Sequence, residues 1–255
     1  MLLEWWSYPL LFAVALVAGL VDAVAGGGGL ITLPALLTVG FPPPLALGTN
    51  KLQSVFGSSM ATWHYSRSGV IDWRACRFGI AMTFIGALAG AWTVQRIDAG
   101  ILTWFIPWLL GAILIYTIVR PELGRDKHPA RLAPGVFFVA AGLGLGFYDG
   151  FFGPGTGSFW TIALVLLLGQ DFLAATGHTK VLNVTSNFAS LLIFISADHV
   201  AWRVGGVMAV GQIAGARIGA GLVVKKGARF IRPVFLTMVA LTIARLAYVA
   251  LTRSH

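Results

Sequence analysis

The chain carries one pattern of apolar runs, glycines and charged residues twice, with a spacing of about 129 residues. At this spacing Lys51 corresponds to Lys180. Slightly upstream the spacing is about 127 residues, and Asp22 corresponds to Asp149. A duplicated chain with an acidic residue and a glycine-rich break in each half is typical of transporters built from structural repeats.

The composition restricts the chain to one class of protein. Hydrophobic residues make up 57% of the sequence and charged residues 11%, and the mean hydropathy is +0.83. The apolar runs are continuous rather than alternating, which favours membrane helices over a transmembrane barrel. We therefore predict an all-α, polytopic membrane protein.

The apolar runs predict about 8 to 10 membrane segments. Eight runs are long enough to cross a bilayer, while 30–40 and 155–169 are shorter and are predicted to be re-entrant half-helices or thin crossings. The predicted organisation is a first membrane repeat at 1–119, a basic cytoplasmic linker at 120–133 and a second repeat at 134–255. The predicted segments are 8–26, 30–40, 45–66, 75–95, 101–119, 134–152, 155–169, 173–196, 204–224 and 233–251.

The charged loops predict how the repeats lie in the membrane. The basic residues concentrate in the loops 66–77, 120–133 and 225–232, which the positive-inside rule places in the cytoplasm. An odd number of crossings then separates equivalent points, so the repeats are inverted and both termini are extracytoplasmic. The same rule accounts for the net charge of +9, and no nucleic-acid partner is expected.

Each repeat contains a glycine-rich break that cannot continue a stiff helix. A helix starting after the break would direct unpaired N–H groups and a positive dipole end into a cavity, where an anion can bind. The glycines of GALAG at 86–90 and GARIG at 215–219 are instead expected to form helix contact faces. The candidate ligands in the breaks are Gly26, Gly27, Gly28, Gly29, Gly153, Gly155 and Thr156.

A lysine lies inside an otherwise apolar helix of each repeat, among residues that form hydrogen bonds. These residues either contact an anionic substrate, or the lysines extend along their aliphatic stems to opposite membrane surfaces. The candidate substrate ligands are Thr49, Asn50, Lys51 and Gln53 in the first repeat and His178, Thr179, Lys180 and Asn183 in the second.

Four further charged residues lie within apolar runs and are candidates for coupling or charge pairing: Asp22, Asp149, Arg217 and Arg245. The acids can bind a proton or Na⁺, pair with a lysine or cap the broken helix. The arginines are expected to face protein or a cavity, and can pair with the acids. Neither the histidines nor the single cysteine has the spacing of a metal site, and no cofactor is predicted.

The sequence from Asp22 to Leu36, with its D-x-x-x-G-x-G-G and P-A-L elements, and the GTNK at 48–51 resemble the TauE/SafE family of sulfite exporters. The resemblance extends over residues 8 to 251. It implies a secondary carrier for small sulfur-containing anions in the bacterial inner membrane. The second copy departs from the first, with Gly153-Pro154-Gly155 in place of four glycines and His178 in place of Thr49.

The sequence therefore predicts a carrier rather than an enzyme, since no paired carboxylates or nucleophile–base arrangement is evident. The predicted substrate is a sulfur oxyanion or organosulfonate, transported by alternating access with proton or cation coupling. The alternatives are a passive anion channel and a carrier for a small carboxylate without sulfur. The expected partners are the small anion and the lipid bilayer, in a monomer or a homodimer.

Overall fold

Helices form almost all of the described part of the chain, which is residues 4–98, 100–101 and 129–226 of a computed structural model. These ranges contain no strand, and the all-α prediction is confirmed. The helices are α1 (Ser7–Ala25), α2 (Gly29–Thr38), α3 (Pro43–Arg67), α4 (Trp73–Val94), α5 (Pro134–Phe151), α6 (Thr156–Leu168), α7 (Phe172–Ser196) and α8 (Trp202–Lys226).

The helices differ in whether their length and composition suit them to cross a membrane. By length and composition α1, α4, α5 and α8 are suited to do so, as expected for a polytopic membrane protein. Helices α3 and α7 have 25 residues each but carry the polar residues around the two lysines. Helices α2 and α6 have 10 and 13 residues. At about 1.5 Å per residue both are shorter than the hydrocarbon core of a bilayer.

Several predicted features lie outside the described residues. These are the segment 233–251 with Arg245, nearly all of the segment 101–119, and most of the linker 120–133.

The two halves of the chain pack reciprocally. Helix α4 of the first half lies along α5 of the second, and α8 of the second lies along α1 of the first. In the same way α3 packs against α8, and α7 packs against α4. Helices α3 and α7 also contact each other. The polar helices are thus enclosed by the apolar helices of both halves.

Glycines allow the close crossings between the halves. A Cβ atom at Gly90 would overlap the carbonyl oxygen of Phe147 on α5, and a Cβ atom at Gly219 would overlap that of Leu20 on α1. Small residues at such crossings let two backbones approach without an intervening side chain. The prediction that the glycines at 86–90 and 215–219 form contact faces is confirmed.

These crossings predict different outcomes for two glycines of α8. We expect Gly215→Ala to lower the thermal unfolding temperature of the purified protein, because the new methyl group meets the Leu16 carbonyl and no side-chain rotation relieves the overlap. Overpacking of this kind costs about 1–3 kcal/mol. The matched control is Gly206→Ala, because no atom of the described residues lies within 4 Å of a Cβ atom there. Equal unfolding temperatures for the two variants would contradict this packing.

Candidate functional site

The first helix of each half stops at a glycine in the left-handed region. Gly26 caps the end of α1 with φ 76°, and Gly153, two residues after the end of α5, has φ 102°. Side chains with a Cβ atom rarely adopt these angles. The two glycines correspond at the spacing of about 127 residues, so the predicted breaks are present at equivalent positions.

The two breaks meet in the interior of the protein. A Cβ atom on Gly157 would lie 2.5 Å from the Cα atom of Gly26, so no side chain fits between the backbones. The Ser158 hydroxyl donates to the Ala25 carbonyl at 2.8 Å and joins the breaks directly. The short helices α2 and α6 therefore begin next to each other, at the contact between the halves.

A polar cavity lies beside these helix starts. Its space for the centres of water-sized molecules is about 30 Å³, which is room for a few waters or one small ion. Residues of both halves line it: Asp22, Gly26, Gly29, Asn50, Lys51, Ser54, Asp149, Gly153, Gly155, Thr156, Gly157, Asn183 and Asn187.

Hydrogen-bond donors are available at this cavity. Within the described ranges the amides of Gly29 and Gly157, at the starts of α2 and α6, have no acceptor. The Asn50 Oδ1 atom accepts from the Thr32 hydroxyl at 2.6 Å and from Gln53 Nε2 at 2.8 Å, which leaves the Asn50 Nδ2 group free to donate. The Asn183 Nδ2 group has no acceptor among the described residues and can also donate, while the buried Oδ1 atom of the same amide is an acceptor without a partner there. The unpaired N–H donors suit an anion.

The two buried lysines pair across the halves. Lys51 Nζ lies 2.7 Å from Asp149 Oδ1, and Lys180 Nζ lies 3.1 Å from Asp22 Oδ2. Each ammonium group also donates to the backbone carbonyl of its partner. The lysine side chains are 1% and 0% exposed. The alternative in which the lysines reach the membrane surfaces is therefore wrong, and pairing of the acids with lysines is confirmed.

Two predicted ligands lie away from the cavity and join helices instead. The Thr49 hydroxyl accepts from the Ala201 amide at 3.0 Å, just before α8. His178 Nε2 accepts from the Asp72 amide at 3.0 Å, just before α4. These bonds are equivalent in the two halves, and they account for the two polar residues without a substrate.

The other predicted ligands divide between the cavity and its surroundings. Asn50, Lys51 and Asn183 line the cavity with Gly26, Gly29, Gly153, Gly155 and Thr156. Gln53 supports the Asn50 amide, and Thr179 bonds the Thr161 hydroxyl at 3.0 Å. Gly27 and Gly28 lie in the first break, where the Gly28 amide donates to Asp22 Oδ1 at 3.3 Å. Lys180 does not line the cavity itself but pairs with Asp22, which does.

The prediction for Arg217 needs a correction. Its side chain is exposed on α8 rather than turned towards protein or a cavity, and the two acids with which it could pair are held by lysines. It therefore supplies no charge to the cavity in this structure.

The sequence prediction missed three cavity residues, Ser54, Asn187 and Gly157. Ser54 follows Asn50 by four residues and Asn187 follows Asn183 by four, which places each pair on one helix face. Ser54 also corresponds to Asn183 at the spacing of about 129 residues. Helical spacing and the repeat together would have identified both polar residues.

Comparison with known proteins gives consistent matches. Residues 11–246 match the family described as sulfite exporter TauE/SafE. A probable membrane transporter protein YfcA of Escherichia coli is 45% identical over 93% of this chain and 88% of its own. A probable membrane transporter protein of Haemophilus influenzae is 43% identical over 94% of each chain. No solved structure is significantly similar to this protein.

The Lys51–Asp149 pair predicts a non-additive effect of mutation. We expect Lys51→Met to destabilise the protein by about 3–5 kcal/mol, because it leaves a buried carboxylate without its partner. The double variant Lys51→Met/Asp149→Asn removes both charges and should recover much of that loss. The free energy of unfolding in detergent is measured for both variants. The control is Lys225→Met, because Lys225 is exposed. A double variant no more stable than Lys51→Met would contradict the pairing.

Proposed function

The chain belongs to the sulfite exporter TauE/SafE family of membrane transporters, and from this premise we propose its substrate and mechanism. It carries a small anion, a sulfur oxyanion or organosulfonate such as sulfite, sulfoacetate or thiosulfate. It does so as a secondary transporter of the inner membrane, by alternating access. It performs no catalysis on its substrate.

The cavity supports an anionic substrate. Two helices begin beside it with unpaired amides, and a helix start carries a partial positive charge. Backbone and side-chain amides offer several N–H donors, which match the acceptor oxygens of a sulfite or sulfonate group. This convergence of N–H donors at the contact between the halves is the observation that carries the proposal.

The reciprocal packing supports alternating access. The cavity is shared by both halves, so movement of one half against the other changes its exposure to each side of the membrane. The repeats are inverted, with the basic loops in the cytoplasm and both termini outside it. Coupling to a proton or a cation occurs through Asp22 or Asp149, which line the cavity.

Anion binding is tested on the purified protein with sulfite, sulfoacetate, thiosulfate, sulfate and acetate. We expect selective thermal stabilisation by a sulfur anion, because only the folded cavity binds it. Asn183→Leu should weaken binding by about tenfold to a hundredfold, since one hydrogen bond to a charged group is worth about 1.5–3 kcal/mol.

The matched control for that variant is Thr83→Val. Thr83 is also buried, its hydroxyl has no hydrogen-bond partner in the described part of the chain, and it does not line the cavity. We expect Thr83→Val to bind as the wild type does. Stabilisation by acetate alone would favour the carboxylate carrier. Equal anion affinities of Asn183→Leu and Thr83→Val would contradict binding of the anion in this cavity.

Transport in proteoliposomes separates a carrier from a passive channel. We expect vesicles loaded with unlabelled anion to accumulate labelled anion transiently, because a carrier exchanges one bound anion for another. A channel shows no such counterflow, and its flux does not saturate at modest anion concentration. Vesicles without protein are the control.

A further inference from the structure

The two Lys–Asp pairs occupy equivalent positions but differ in how firmly they hold the acid. Asp149 Oδ1 lies 2.7 Å from Lys51, Asp149 Oδ2 accepts from the Ser186 hydroxyl, and the side chain is 4% exposed. Asp22 lies 3.1 Å from Lys180, has a 3.3 Å bond from an amide, and is 19% exposed. Asp22 is therefore the less constrained carboxylate.

The sequence itself contributes to this difference. At the spacing of about 129 residues, the position of Ser186 is occupied in the first half by Gly57. Glycine has no side chain, so Asp22 lacks the hydroxyl donor that Asp149 has. A hydrogen bond to the ionised form of a carboxyl stabilises that form. The sequence therefore makes the two acids differ in how well their ionised forms are stabilised.

The charges around the cavity require a source of compensation when an anion enters. Asp22, Asp149, Lys51 and Lys180 together carry no net charge when all four are ionised. An added anion disfavours the ionised form of a nearby carboxyl. Neutralising one acid leaves one lysine charge uncompensated, which matches a monoanion.

We propose that Asp22 takes up one proton when the anion binds, while Asp149 remains ionised in its pair with Lys51. This inference rests on the proposed anion transport and names the coupling residue and ion. The proton comes from a hydronium ion or a buffer acid of the solvent, which leaves water or the buffer base, and it forms an O–H bond on the Asp22 carboxylate. Lys180 keeps its own proton and becomes the uncompensated positive charge.

Few charged or titratable groups face Asp22 in the described part of the chain. The charged groups are Lys180 on α7 and, across the cavity, Lys51 and Asp149. The Tyr65 hydroxyl of α3 donates to the neighbouring Ala23 carbonyl at 2.8 Å. Helices α2 and α6 contain no ionisable residue, and those of α8 are exposed.

The test is calorimetric titration of the purified protein with methanesulfonate, a monoanion whose charge does not change in the neutral and mildly acidic range. Titration in two buffers of different ionisation enthalpy gives the number of protons taken up per anion. We expect about one proton for the wild type. The affinity should then rise by about tenfold per unit fall in pH wherever Asp22 is ionised in the free protein.

The variants assign the proton to a residue. Asp22→Asn should bind the anion with no proton uptake and with an affinity independent of pH. Asp149→Asn should retain the uptake. Because that change leaves Lys51 without its partner, Ser186→Ala is a second and milder test of Asp149, and it should also retain the uptake.

The possible failures are distinguishable. Anion binding without proton uptake, uptake that persists in Asp22→Asn, or uptake that is lost in Ser186→Ala would overturn the assignment to Asp22 and leave the proposed transport intact. If neither methanesulfonate nor any anion of the thermal stabilisation experiment binds at any pH, both the proposed function and this coupling are wrong.

Discussion

Two buried ion pairs that join the halves of the chain are the interaction on which the rest of the structure depends. A buried ammonium or carboxylate group costs several kcal/mol unless a partner compensates its charge. Lys51 finds that partner in Asp149, and Lys180 finds it in Asp22. Because each pair takes one residue from each half, neither half can bury its own charges alone. The charges, the close glycine crossings and the meeting of the two breaks therefore require the same arrangement.

This arrangement also explains the chemistry of the cavity. The lysines are held by carboxylates, so the groups left for a ligand are amides at the starts of α2 and α6 and on the side chains of Asn50 and Asn183. Such donors are neutral and bind an anion through the direction of their N–H dipoles, while in the free protein the lysine charges are compensated by the carboxylates.

The sequence predicted the fold better than the site. Apolar runs and glycines are local signals, so the predicted segments from 8–26 to 204–224 within the described residues agree closely with the helices. The partners of the lysines are 98 and 158 residues away, and one-dimensional spacing does not reveal which acid each lysine meets. Thr49 and His178 were recognised as polar residues in apolar helices. Their bonds to the starts of α8 and α4 depend on packing between the halves, so they were assigned to the substrate instead.

The central claim is that the starts of α2 and α6 form one anion site shared by the two halves. Anomalous diffraction from crystals grown with selenite, a heavier analogue of sulfite, tests it most directly. We expect an anomalous peak within hydrogen-bonding distance of the Gly29 and Gly157 amides, beside Asn50 and Asn183. Selenium found only at the basic loops, with none in the cavity, would contradict it.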